Sequence, residues 1–121
     1  VSDRELLEFA LKATDYWSRH ERQFLSQEEI DSGHLWISDQ DLDGVKYDPV
    51  WTIWNPLTDD GDALRLAVKL SLHVRVCRRS VLVEMREFGD DIHIRLGVDP
   101  YSATRRAIVL AAAEIGKTRS E

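Results

Sequence analysis

Asn55-Pro56 separates two backbone regimes. Before it, Val50-Trp51-Thr52-Ile53-Trp54 is a run of β-branched and aromatic residues, the composition of a half-buried strand. Proline has no N–H to give to a ladder and biases the residue before it towards extended backbone, so the strand stops there. After it, Leu57-Thr58-Asp59-Asp60-Gly61-Asp62 leads directly into Ala63-Leu64-Arg65-Leu66-Ala67-Val68-Lys69-Leu70. Thr58 or Asp59 can cap a helix here, and the aspartates of its first turn suit the positive end of the helix dipole. Ala63, Leu64, Leu66, Ala67, Val68 and Leu70 cover most of its circumference, leaving Asp62, Arg65 and Lys69 as one polar ridge. So apolar a helix is expected to be mostly buried, the core element of the domain. A strand feeding a buried helix through a sharp turn restricts the chain to folds that mix both.

The rest of the chain supplies the other layers. Ser2-Asp3-Arg4-Glu5 has the spacing of a capping box, and Leu6, Ala10, Ala13 and Trp17 then recur at helical spacing, widened by Leu7 and Leu11. A helix from about residue 3 to 16 is expected. From Ser18 to Gly33 the periodicity fails and Arg19, Glu21, Arg22, Gln27, Glu28 and Glu29 dominate. Residues 18–33 are therefore expected to be the most mobile internal segment, a connection with at most a short helical turn. His34 to Ser38 is a strand candidate.

Beyond the central helix, Leu72 to Cys77, Ser80 to Phe88 and Asp91 to Gly97 are strand candidates; Leu72, Val74 and Val76 alternate with His73 and Arg75, and Ile92, Ile94 and Leu96 with His93 and Arg95. The short turn Gly89-Asp90-Asp91 points to an antiparallel meander with one apolar face and one wet. Asp99-Pro100 opens the last helix as N-cap and first residue. Ala103, Ala107, Leu110 and Ala111 form one face and Ile108, Ala112 and Ile115 another, with Gly116 expected to close it. The small alanines let this helix lie close to its neighbour.

These elements make an α+β fold in a single domain over residues 1–121: a mainly antiparallel sheet of four to five strands packed with three helices. Leu64, Val68, Val74, Ile94 and Ile108 are expected to share one core. Periodicity alone gives two layers, because a face carrying Arg75, Glu84, Arg86, His93 and Arg95 is too polar to be covered.

The motifs from Trp54 to Leu70 and from Asp99 through Pro100-Tyr101-Ser102-Ala103-Thr104-Arg105-Arg106-Ala107-Ile108 to Val109 resemble small tailed-phage and prophage proteins with the phage α/β/α-sandwich domain. The resemblance spans the N-terminal helix and residues 54–116. It implies a three-layer α/β/α sandwich, and it brings no assigned chemistry with it.

Composition narrows the function classes. The 121 residues are 43% hydrophobic and 31% charged, as in folded globular proteins rather than disordered chains. No apolar run approaches the roughly 20 residues of a membrane span, and Val1-Ser2-Asp3-Arg4-Glu5 lacks the basic head of a signal peptide. Val1 stands where an initiator Met would, so the sequence reads as processed or trimmed, and the host cytoplasm is the expected location. The lone Cys77 excludes an internal disulfide and fits a reducing compartment. At the end of an alternating strand, with no nucleophile signature around it, Cys77 reads as a small strand residue.

A net charge of −6 opposes broad nucleic-acid binding, which needs a cationic surface. The charge is polarised. Residues 28–62 carry Glu28, Glu29, Asp31, Asp39, Asp41, Asp43, Asp48, Asp59, Asp60 and Asp62 against Lys46, whereas residues 65–79 carry Arg65, Lys69, Arg75, Arg78 and Arg79 with no acid.

Four constellations invite a chemical reading. Asp39-Gln40-Asp41-Leu42-Asp43-Gly44 opens like a calcium loop, but Val50 stands where the bidentate Glu belongs and the flanks read as strands. It is read as a solvated acidic turn. Asp59, Asp60 and Asp62 lie within one helix start, where capping explains them without a metal. Trp17, Trp36, Trp51 and Trp54 are core candidates; Trp51 and Trp54, three apart, point to opposite strand faces, and an exposed one would suit an interface. Arg75, Arg78, Arg79, Arg86, His93 and Arg95, interleaved with Glu84 and Glu87, read as a cross-strand salt-bridge lattice. Without outward aromatics they lack a stacking platform for single strands. Arg105 and Arg106 read as partners of nearby acids.

No catalytic, cofactor-binding or metal residues emerge. The expected role is a phage or prophage accessory protein that binds a host or phage protein, with no membrane or nucleic-acid partner. The alternative is a nucleic-acid-associated or metal-dependent enzyme built on the Asp clusters.

Overall fold

The computed structural model describes residues 2–14, 35–38, 51–85 and 91–120. In chain order these form α1 (Asp3–Thr14), β1 (Leu35–Ser38), β2 (Trp51–Trp54), α2 (Asp60–Lys69), β3 (His73–Val76), β4 (Ser80–Glu84), β5 (Ile92–Arg95) and α3 (Pro100–Ser120). The fold class is α+β, with every strand pair antiparallel. The chain divides into two compact units, Tyr16–Asn55 and the combination of Val1–Asp15 with Pro56–Glu121.

The smaller unit contributes the hairpin β1–β2, with Leu35 opposite Trp54 and Ile37 opposite Thr52. Leu35, Ile37 and Trp54 are buried. The segment 18–33, Trp17 and the Asp39–Asp43 turn lie outside the described residues.

In the larger unit α3 is the hub. It runs against α1, α2, β4 and β5, and Ala107, Val109, Ala111, Ala112, Ala113 and Ile115 are all buried along it. The strands form a sheet in the order β3-β4-β5. Val74 and Ile94 flank Val81 and Val83 on its apolar face, where the two β4 valines are fully buried. On the opposite face His73, Arg75, His93 and Arg95 are exposed.

Local chemistry explains the element ends. Ser2 Oγ accepts the Glu5 N–H at 3.1 Å and donates to the Glu5 carboxylate at 3.3 Å. Asp59 caps α2 by accepting the Asp62 N–H at 2.8 Å. Asp99 Oδ1 accepts the N–H groups of Tyr101 and Ser102, with Pro100 as the first helical residue, the position where its missing N–H costs nothing. α2 ends in a Schellman arrangement, in which the Leu72 N–H reaches the Ala67 carbonyl and the Ser71 N–H the Val68 carbonyl. Ser71 takes the left-handed conformation this needs, with φ 54°, in a place where glycine is usual.

Three expectations are corrected. The strands do not make one sheet of four to five; β3, β4 and β5 form a three-stranded sheet, and β1 with β2 pair separately. Alternation identifies strands but carries no information about which strands become neighbours. Gly116 does not close the last helix, which continues to Ser120. Its missing side chain serves a close approach instead: a Cβ there would collide with the carbonyl oxygen of Phe9 on α1 and lie 2.6 Å from the carbonyl carbon. Finally, Leu64 and Val68 are 65% and 70% exposed and leave the expected core. The buried face of α2 is Asp62, Ala63, Leu66 and Ala67, the arc turned towards α3.

Candidate functional site

The Asp59, Asp60 and Asp62 carboxylates at the start of α2 are committed to structure. Asp59 is the cap, Asp62 receives Arg65 at 2.7 Å, and Asp60 receives Arg105 at 2.6 Å. Arg105 also donates through Nε to the Leu57 carbonyl at 2.9 Å, tying α3 to the turn before α2. Arg106 pairs with Asp3 at 3.0 Å. Both arginines therefore serve acids of neighbouring elements. Among the described residues no group of three or more His, Cys, Asp or Glu side chains converges as a metal site. Cys77 is exposed beside the β3–β4 turn.

What the structure adds is a groove. α2, β3 and α3 diverge around an open apolar depression of about 480 Å³, lined by Ala63, Leu64, Val74, Val76, Tyr101 and Ile108, with the Asp60–Arg105 pair at its border. Leu64, Val76 and Tyr101 stand on its walls at 65%, 59% and 68% exposure, and Val68 adds a further exposed apolar side chain on α2. Scattered apolar residues on a surface are ordinary; here several are drawn together along one concave wall. In the sequence this groove was hidden inside the apolar circumference of α2, since periodicity cannot distinguish a residue facing the core from one facing an unfilled groove.

The polar face of the sheet also differs from the expected lattice. Its one cross-strand side-chain contact to a carboxylate among the described residues is His73 Nδ1 to Glu84 Oε2 at 3.2 Å. Arg75, Arg78, Arg79 and Arg95 are exposed and make no ion pair among the described residues. Arg75 and His93 flank Leu82, and Arg95 lies opposite Ser80. The result is a cationic surface on a chain whose net charge is −6. Arg86 and Glu87 lie outside the described residues.

No helix among the described residues is long and apolar enough to cross a membrane. In comparisons with known proteins, the chain matches no family model, no curated protein and no solved structure.

Proposed function

We propose that this chain works by binding another protein, and that the groove between α2, β3 and α3 is where the partner docks. The observation that carries this reading is the grouping of exposed Leu64, Val76 and Tyr101 around one concavity. Covering them removes apolar area from water, the main favourable term in protein association. Well-filled apolar pockets with aromatic anchors are also where interface energy concentrates.

The resemblance of residues 54–70 and 99–109 to tailed-phage sandwich proteins supports placing it among phage or prophage accessory proteins acting in the host cytoplasm. The three-layer arrangement implied by that resemblance is part of this proposal; among the described elements α3 packs on β4 and β5, and α1 and α2 pack on α3.

The test is capture from bacterial lysate with the native chain and with Leu64→Ser, Tyr101→Ser. Both side chains line the groove and are exposed, so the variant is expected to keep the native fold, checked by its circular dichroism. The captured protein is then identified by mass spectrometry, purified and titrated calorimetrically. Affinity falling about tenfold or more in the variant supports the groove. Equal affinity would place the interface elsewhere, and metal-dependent turnover of a nucleic acid by the pure chain would overturn the binding reading.

A further inference from the structure

The apolar groove runs beneath an open sheet edge. Among the described residues β3 has β4 on one side and no strand on the other. The Cys77 N–H donates to the Ser80 carbonyl at 2.8 Å, which makes Cys77 and Ser80 a hydrogen-bonded pair. In an antiparallel ladder such pairs alternate, so Arg75 with Leu82 and His73 with Glu84 are the next ones along the register. The N–H and C=O groups of Val74 and Val76 therefore point away from β4. Among the described residues nothing accepts from or donates to them. The side chains of the same two valines line the groove, while His73 and Arg75 project to the opposite, cationic face.

From this juxtaposition we propose that β3 receives an extended segment of the partner protein as a fourth strand, and that this segment alternates apolar with acidic residues. This inference rests on the groove being the docking site and specifies how it is used. A strand bonded to Val74 and Val76 has a period of two, so one set of its side chains faces the groove and the other faces His73 and Arg75. The first set meets Val76, Leu64 and Tyr101, which select apolar residues. The second meets Arg75, with Arg78 and Arg79 in the adjoining β3–β4 turn, all without ion-pair partners among the described residues, which select carboxylates. A second copy of this chain is a poor occupant. Antiparallel pairing of Val74 with the other copy's Val76 would set Arg75 directly against the other copy's Arg75, and like charges directly opposite destabilise a ladder.

Synthetic end-blocked peptides alternating Val or Ile with Glu test this, beside a counterpart with Lys for Glu and a third N-methylated at the bonding positions. The readout is amide exchange by NMR on the full chain. The expected result is exchange at Val74 and Val76 slowed about tenfold or more by the Glu peptide, with far weaker effects from the other two. Arg75→Glu should reverse the preference in favour of the Lys peptide. Shifts at Leu64 and Tyr101 with Val74 and Val76 still exchanging freely would overturn strand addition while leaving the groove reading intact. Protection by the N-methylated peptide, or absence of binding at millimolar peptide, would overturn the inference, whereas the captured partner's loss of affinity with Leu64→Ser, Tyr101→Ser judges the groove independently. Protection that rises with protein concentration and needs no peptide would assign the edge to a second copy and also overturn it.

Discussion

Gly116 of α3 lies against the Phe9 carbonyl of α1 so closely that a methyl group on Gly116 would occupy the position of that oxygen. Buried small residues line the same contact region: Ala10 and Ala13 on α1, Ala112 and Ala113 on α3. Small side chains let two helix backbones approach to the short end of the usual interaxial range. The Lys117 ammonium, one residue on, sits 5.6 Å from the centre of the Phe9 ring, so the same approach also produces a cation–π contact across the helices.

Gly116→Ala tests that contact directly. Helix propensity alone would favour alanine by about 1 kcal/mol. The obstacle is backbone of another helix rather than a flexible side chain, so α1 and α3 must separate, and overpacking typically costs about 1–3 kcal/mol. We expect net destabilisation, seen as a lower urea midpoint. An equal or higher midpoint would show that the helices part without cost.

Leu64 and Leu66 belong to the same helix and differ in fate. Leu66 is fully buried and Leu64 is 65% exposed. Leu66→Ala should cost about 2–5 kcal/mol, the usual range for emptying a core leucine position. Leu64→Ala should cost about 0.5 kcal/mol or less, as a surface change does. Equal losses in chemical denaturation would return Leu64 to the core.

Ser71 holds a left-handed backbone conformation without being glycine. Such a conformation costs a residue bearing a Cβ about 1–2 kcal/mol, partly offset by the greater freedom glycine loses on folding. Ser71→Gly should therefore raise stability by about 0.5–1 kcal/mol. A thermal midpoint that stays level or falls would contradict the Schellman reading of this turn.

Arg105 and its partner Asp60 should respond unequally to mutation. The Arg105 side chain is 17% exposed and Asp60 72%, and Arg105 also serves the Leu57 carbonyl. Asp60→Asn should cost no more than about 1 kcal/mol, the range of exposed pairs, with the effect shrinking in high salt. Arg105→Ala removes the bond to the Leu57 carbonyl and the packing of the stem as well, and should cost about 1–3 kcal/mol, largely insensitive to salt. Matching losses in a salt series would mean the ion pair alone carries the contact.

The parts of this protein that were legible in its sequence are those decided within a few residues of chain. The Ser2, Asp59 and Asp99 caps, the Asn55-Pro56 break, the start of α3 at Pro100 and the alternation of β3 and β5 all follow from local sequence. Local sterics and hydrogen bonding suffice for these. The tertiary structure decided everything that needs a neighbour. Leu64 and Leu66 look alike in sequence, and only the position of α3 beside α2 buries one and leaves the other in the groove. Gly116 carries the signal of a helix end, and only the approach of α1 turns it into a point of contact. Among the described residues Val74 and Val76 have open backbone groups because β3 is an edge, a property of the sheet rather than of the strand. Burial, edge position and close approach are relations between elements distant along the chain, and hydrophobic periodicity records only that a face is apolar, never what comes to cover it.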